Sequence, residues 1–534
     1  MKSLLKACLA LLLMVAVFLK ADAQGYQNPV IPGFYPDPSV CRVGNDYYLV
    51  NSSFEYFPGI PVWHSTDLVH WTQIGNVLNR QSQLPLKNCK PSGGIYAPTI
   101  RYHNGTFYMV VTNVTGDRVY NNFYVTATNP AGPWSEPIVV AQNGIDPSLF
   151  FDEDGKTYFI SNRAHKSSDP RAIYQSEIDI TTGKLLSEVK ELWKGSGGSY
   201  VESPHMYKKD GYYYLQTAEG GTAYGHSVAI GRSKSIWGPY ESCPHNPILT
   251  NRMSYSNIQG TGHADMVQAT DSSWWMVHLA FRPAVDGIHF IGRETCLTPV
   301  EWKKGEWPVV NGNGQTEEFI NQSPPNLQSA PATYNLPYKN EFDSPSLGFD
   351  WVYLRNPDST NYSLSERKGF LRLKGNRFSL NDLESPTWVA RRQQHFNFTE
   401  RVKLDFNPQN PNEEAGITLL MTNLFHYDFF IKKAGTKRVL AARYVLDSLS
   451  HIEKEVAVED GPIELIIKGD KKLYTLIYKH KNGSEETIAH FNTRFLGTEV
   501  TGGYNGVLIG LYATGNGKAS KAFADFDWVA YTPE

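Results

Sequence analysis

Asp37-Pro38-Ser39-Val40, followed closely by Asp46-Tyr47-Tyr48-Leu49-Val50, decides the fold, because the chain writes this pattern five times. The second copy is Ala97-Pro98-Thr99-Ile100 with Thr106-Phe107-Tyr108-Met109-Val110. The third is Asp146-Pro147-Ser148-Leu149 with Thr157-Tyr158-Phe159-Ile160, and the fourth Ser203-Pro204-His205-Met206 with Gly211-Tyr212-Tyr213-Tyr214-Leu215. The fifth, without its proline, is His263-Ala264-Asp265-Met266 with Trp274-Trp275-Met276-Val277-His278. Each copy reads as a short strand, a tight polar turn such as Val43-Gly44-Asn45, and a second strand rich in aromatic and β-branched residues. That composition is a β-hairpin. Copies recur at intervals of about 50 to 60 residues, the spacing of four-stranded propeller blades. In a five-bladed β-propeller the equivalent positions converge on one axis, which would bring Asp37, Ala97, Asp146, Glu202 and His263 to a single channel mouth. Carboxylates crowded together repel and shift one another's pKa values, a cost tolerated more often for chemistry than for stability.

At 534 residues the chain is too long for one ordinary core, so a second domain is expected. Helical periodicity is scarce while Tyr, Phe, Trp, Val, Gly and Pro abound, which favours an all-β fold throughout. A formal net charge of −3 gives no basic footprint for nucleic acid. The N-terminus reads as a secretory signal peptide over 1–23. Lys2 and Lys6 precede an apolar run from Ala7 to Leu19, and Ala21-Asp22-Ala23 supplies a cleavage site before Gln24. The expectation is a secreted or periplasmic protein with no membrane span after cleavage. Cys41, Cys89, Cys243 and Cys296 then remain, without CxxC spacing for zinc or redox chemistry. One or two bridges, or buried thiols, both fit.

The propeller is expected over 24–310. A polar stretch rich in Pro, Asn, Gln and Ser, 311–337, reads as a linker. From 338 to 534 short alternating strands without the repeat, such as Phe370-Leu371-Arg372-Leu373 and Ile463-Glu464-Leu465-Ile466-Ile467, suggest a β-sandwich. Asn340-Glu341-Phe342-Asp343 and the acidic close Ala524-Asp525-Phe526-Asp527 could meet around a structural cation such as calcium, or form a solvated edge.

Two carboxyl groups of opposite role are the minimum kit for glycoside hydrolysis, one ionised to activate water and one protonated to assist the leaving oxygen. Asp37, held between prolines, suits the base. Glu202 sits one residue before the repeat position and has the longer reach that an acid needs. Asp146 would be a third charge that raises the pKa of Glu202 and fixes its rotamer. Asp-Pro-Ser is also an ordinary turn sequence. Three acids in register with a five-fold repeat argue against that plain reading.

These segments, with Tyr35-Pro36-Asp37-Pro38-Ser39, Ser53-Phe54-Glu55-Tyr56-Phe57-Pro58-Gly59, Gly144-Ile145-Asp146-Pro147-Ser148-Leu149-Phe150 and Val201-Glu202-Ser203-Pro204-His205, resemble glycoside hydrolase family 43. The resemblance implies an inverting exo-glycosidase with Asp37 as general base, Glu202 as general acid and Asp146 as pKa modulator. It also implies sugar contacts from Phe54, from Arg293 (which would help hold Asp146 and Glu202) and from His263, the family's central-channel histidine. Tyr96 stands where many members carry tryptophan, which puts the sugar preference in question rather than the mechanism. The second domain resembles the concanavalin-like C-terminal sandwich of the xylosidase-like branch, whose loop closes one side of the pocket; Gly502-Gly503-Tyr504-Asn505-Gly506 matches that loop, with Tyr504 as its aromatic. The expected substrate is an oligosaccharide or polysaccharide of plant cell walls. Release of terminal β-D-xylose is favoured, α-L-arabinofuranose from arabinan or arabinoxylan comes next, and a galactan-directed activity stands further off. No cofactor is required for the chemistry. A non-catalytic sugar-binding propeller would lack one of the acids, and none is missing. A protein-interaction propeller would lack the converging acids altogether.

Overall fold

The computed structural model describes residues 25–115, 121–163, 171–329 and 332–534, so the expected signal peptide lies outside the described residues. Five four-stranded antiparallel sheets follow one another. Their first strands are Ser39–Val43, Thr99–His103, Ile145–Phe151, Glu202–Lys209 and Gln259–Gln268. Each pairs with the second strand of its hairpin across the turn read from the sequence, as in Val43↔Asp46 and His103↔Thr106. The apolar clusters straddle neighbouring blades: Val62, Val77, Met109, Val125 and Trp134 pack together, as do Leu49, Trp71, Trp275 and Leu297. The tryptophans of the outer hairpins therefore glue blade to blade.

One carboxylate ties the innermost strands around the axis. Asp265, fully buried on the fifth blade, accepts from Ser39 Oγ (2.7 Å) and Val40 N (3.1 Å) on the first blade. It also accepts from Arg101 Nη1 (2.8 Å) on the second blade and from the Tyr207 hydroxyl (2.7 Å) on the fourth. Arg101 Nη2 donates in turn to His205 Nδ1 at 2.8 Å, and burial keeps that imidazole neutral, pushing its pKa down to about 3. Burial raises the Asp265 carboxyl, but the Arg101 charge and the hydrogen bonds from Arg101 and Ser39 outweigh it and hold the group well below the usual carboxylate range.

The second domain is a sandwich of two eight-stranded sheets around one large core that includes Trp351, Phe398, Leu419, Phe429 and Phe526. One outer strand of it comes from the propeller. Tyr56–Phe57 pairs with Val352–Leu354, with Tyr353 opposite Phe57 and Leu354 opposite Tyr56. The 311–337 segment is not a free tether along its whole length: Phe319–Ile320 pairs with Tyr26–Gln27, and Thr316 and Ile320 are buried against the propeller. Polar composition alone does not reveal such packing.

The two acidic ends of the sandwich do meet as strands, Tyr338–Asn340 lying against the last strand. Three of their four carboxylates, those of Glu341, Asp525 and Asp527, are already paired with Lys or Arg. Asp525 binds Arg367 (2.7 Å) and Arg372 (2.8 Å), and Asp527 binds Lys403 (2.9 Å). Among the described residues the four cysteines, Cys41, Cys89, Cys243 and Cys296, are buried free thiols.

Asp265→Ala would leave the buried Arg101 guanidinium without its counter-ion, at a cost of about 3–5 kcal/mol. A urea titration followed by tryptophan fluorescence should show a clearly lower midpoint, with a smaller loss for Asp265→Asn.

Candidate active site

The heads of the inner strands carry an unusual backbone. Asp37 (φ 55°), Asp146 (φ 52°), Ser203 (φ 55°) and His263 (φ 45°) are all left-handed at the repeat position. Asp and His tolerate this region better than most residues, at about 1 kcal/mol or more each. In three blades the strand pairing slips at the same place, between Ile145 and Ser148, Glu202 and His205, and on both sides of Gly262. The bulge turns the side chain at the strand head away from the sheet and toward the axis. It also explains the offset of Glu202. The left-handed position in its blade is Ser203, so the acid enters the mouth from one residue earlier.

The result is a pocket of about 420 Å³ lined by all eight residues singled out from the sequence: Asp37, Phe54, Tyr96, Asp146, Glu202, His263, Arg293 and Tyr504. That volume is at the low end of ligand pockets, roughly 300–1,000 Å³. Phe54, Tyr96 and Tyr504 form one aromatic wall, with ring centroids 5.6 to 6.2 Å apart. Tyr504 is the sandwich domain's contribution and is 40% exposed.

The three carboxyls have different surroundings. Asp37 Oδ1 accepts from Arg293 Nη1 at 2.9 Å and lies 3.6 Å from His263 Nδ1, while Oδ2 accepts from Ser52 Oγ at 2.5 Å. Burial raises its pKa, but Arg293, His263 and the Ser52 bond together pull it below the ordinary value. Asp37 is therefore held in its ionised form. Glu202 faces the pocket with 13% of its side chain exposed and binds Arg171 through Oε2 at 3.1 Å. Burial raises it, Arg171 pulls it down and the Asp37 charge raises it again, which leaves it at about 7. Asp146 is raised as well, by burial and then by repulsion from Glu202 and Asp37. The two carboxyls thus compete for a proton and titrate as a pair. Glu202 has the greater access to a ligand. Asp146 Oδ2 accepts from Ser203 N at 3.3 Å, which anchors the backbone immediately after Glu202.

Arg293 does not bind Asp146 and Glu202 as expected. Its Nη1 serves Asp37 and Thr222 Oγ1, both at 2.9 Å, because Asp37 lies directly beside its strand head; Arg171 takes Glu202 instead. Arg171, Thr222, Tyr200 and Ser52 were not found from the sequence. None lies at a repeat position, and Arg171 stands in no motif. His263 follows Gly262, and the buried His226 imidazole lies 2.5 Å from where a Cβ on Gly262 would sit. Only glycine fits there. Among the described residues no group of three or more His, Cys, Asp or Glu is set to hold a metal ion.

The arrangement can do acid–base chemistry on one bond: an ionised carboxylate, a carboxyl that still holds its proton near neutrality, and an aromatic wall that suits the apolar face of a sugar. The family model "Glycosyl hydrolases family 43" matches residues 26–308, and "Beta xylosidase C-terminal Concanavalin A-like domain" matches 339–532. A "Non-reducing end alpha-L-arabinofuranosidase" of Bacteroides ovatus is 42% identical over 528 residues, 98% of each chain. A "Xylosidase/arabinosidase" of Butyrivibrio fibrisolvens is 39% identical over 514 residues, 94% of this chain and 98% of its own. The solved Bacteroides ovatus xyloglucan PUL protein GH43B superposes with a TM-score of 0.90 at 42% identity, over 96% of this chain and all of its own. The chain belongs to glycoside hydrolase family 43, the exo-acting xylosidases and arabinofuranosidases, and is a glycosidase built as a five-bladed propeller with a concanavalin-like second domain.

Proposed function

We propose that the enzyme releases single terminal α-L-arabinofuranosyl residues from plant cell-wall oligosaccharides with inversion, and accepts terminal β-D-xylosides as its second substrate. The observation that carries the chemistry is the unequal treatment of Asp37 and Glu202 within one pocket. Asp37 takes a proton from the water that attacks the anomeric carbon, and Glu202 gives its proton to the departing glycosidic oxygen. Asp37 ends protonated and Glu202 ionised, and solvent restores both. Arg171 then serves the product state, since it stabilises the Glu202 carboxylate once the proton has left. Phe54, Tyr96 and Tyr504 hold the sugar, with His263 and Arg293 beside its reacting end. No cofactor enters the scheme.

An exo mode fits the sandwich domain's place in the pocket: Tyr504 closes one flank beside Phe54 and Tyr96, which favours a chain end over a chain interior. The sandwich domain alone favours a β-xylosidase. It does not separate the two sugars, because the 42%-identical arabinofuranosidase matches this chain over 98% of both lengths. The Butyrivibrio relative, named for both activities, supports a pocket that accepts either pentose. Export belongs to the same reading, since polymeric substrates lie outside a cell; N-terminal sequencing of the mature protein should begin at Gln24.

Wild type should hydrolyse 4-nitrophenyl α-L-arabinofuranoside faster than 4-nitrophenyl β-D-xylopyranoside, and Asp37→Ala should lose about 10²–10⁴-fold on both. Glu202→Gln should lose far more rate on oligosaccharides than on activated aryl glycosides, because only the former need the proton. Wild type inactive on both aryl glycosides and on pentose oligosaccharides would remove this reading.

The pH dependence follows with its sign. Activity needs Glu202 protonated, so kcat/KM should fall as pH rises through about 7. It needs Asp37 ionised, and that pKa is depressed, so the acid limb should lie below about 4. Arg171→Met removes an influence that lowers Glu202, and the alkaline limb should move upward.

A further inference from the structure

We propose that Glu55 is a positioning residue that docks the sandwich domain's Tyr504 into the aromatic wall, acting through Asn505 and Ser92. The proposal rests on the pocket being the glycosidase site described above.

Glu55 follows Phe54, and Asn505 follows Tyr504, so each side of the contact pairs a wall residue with a buried polar neighbour. The three polar residues close a ring of hydrogen bonds. Asn505 Nδ2 donates to Glu55 Oε1 at 2.7 Å, Ser92 Oγ donates to Asn505 Oδ1 at 3.0 Å, and Ser92 N donates to Glu55 Oε2 at 3.1 Å. Tyr504 N donates to Ser92 Oγ at 2.8 Å, which commits the serine proton to Asn505 and fixes the orientation of the amide. Glu55 and Asn505 are each 1% exposed, so water cannot substitute for a lost partner. Gly503 is left-handed (φ 76°), and a Cβ there would lie 2.4 Å from Ser92 Oγ, so the backbone approaches as closely as glycine permits.

The ring has firm supports on both sides. Behind Glu55, its carbonyl accepts from Arg355 N at 2.8 Å, and Tyr56–Phe57 continues as a strand of the sandwich sheet. Before Tyr504, the short helix Thr498–Thr501 is held by Glu499, which accepts from His289 N at 3.0 Å. Tyr504 itself is 40% exposed, and its ring meets only one side of the wall, against Phe54 and Tyr96. Its place beside Phe54 is set by the backbone, and the backbone is set by the ring of bonds.

Tyr504 touches the bound sugar rather than the transferring protons, so the device should act on binding more than on turnover. Glu55→Gln puts an amide N–H against a donor. Asn505→Asp sets two carboxylates face to face. The double variant reverses the pair, with the amide at position 55 donating to the carboxylate at position 505, and so restores complementary partners.

The test measures kcat and KM on 4-nitrophenyl pentosides for the two single variants and the double, together with hydrogen–deuterium exchange of the 497–506 segment. Each single variant should raise KM about ten-fold or more, the scale of a lost hydrogen bond to a charged group, with kcat within about three-fold of wild type. Exchange of 497–506 should speed up in the singles. The double should recover part of both losses. Unchanged KM and unchanged exchange in the singles would overturn the proposal, as would a fall in kcat at constant KM or a double no better than the worse single. If wild type turns over no pentoside, the functional reading fails, and the exchange data alone decide whether Glu55 docks the loop.

Discussion

The Asp265 carboxylate is the interaction on which the rest of the molecule depends. It takes hydrogen bonds from Ser39, Arg101 and Tyr207, on the first, second and fourth blades, while itself belonging to the fifth. Blade-to-blade packing is apolar and non-directional, so it sets spacing but not register. A buried ion pair with fixed partners does set register. With the inner strands held in register, their heads bring Asp37, Asp146, Glu202 and His263 to one pocket.

Those heads then divide the charges. Asp37 is surrounded by Arg293, His263 and Ser52, which outweigh burial and keep it ionised. Glu202 and Asp146 are buried near that negative charge and near each other, with Arg171 as the moderating cation. The same desolvation acts on all three carboxyls; Arg293, His263 and the Ser52 bond together outweigh it at Asp37, whereas Arg171 at Glu202 does not outweigh burial and the Asp37 charge, and Asp146 has no cation in hydrogen-bond contact among the described residues. Left-handed backbone at Asp37, Asp146, Ser203 and His263 is part of the cost of this convergence.

Much of this was legible in the sequence because the repeat is written in turn chemistry and strand composition. Those are local signals, and five copies of one local signal give the architecture. The three acids were legible for the same reason, as they occupy or adjoin one repeat position. What escaped was non-local. Arg171 reaches Glu202 from a position with no motif, and the Glu55–Asn505 contact joins residues 450 apart in the chain. No periodicity marks such a pair. The use of Tyr56–Phe57 as a strand of the second domain is hidden likewise, since a two-residue strand has no pattern of its own. Composition misled only mildly at 311–337, where buried Thr316 and Ile320 sit among polar neighbours.

In the proposed reaction Asp37 activates water on the face opposite the leaving group, so that no sugar is ever bonded to the protein. Proton NMR of the first turnovers of an aryl β-D-xyloside tests it most directly. With inversion, α-xylose appears first and mutarotates later to the equilibrium mixture. β-Xylose as the first product would show retention, and would make Asp37 a nucleophile rather than a base.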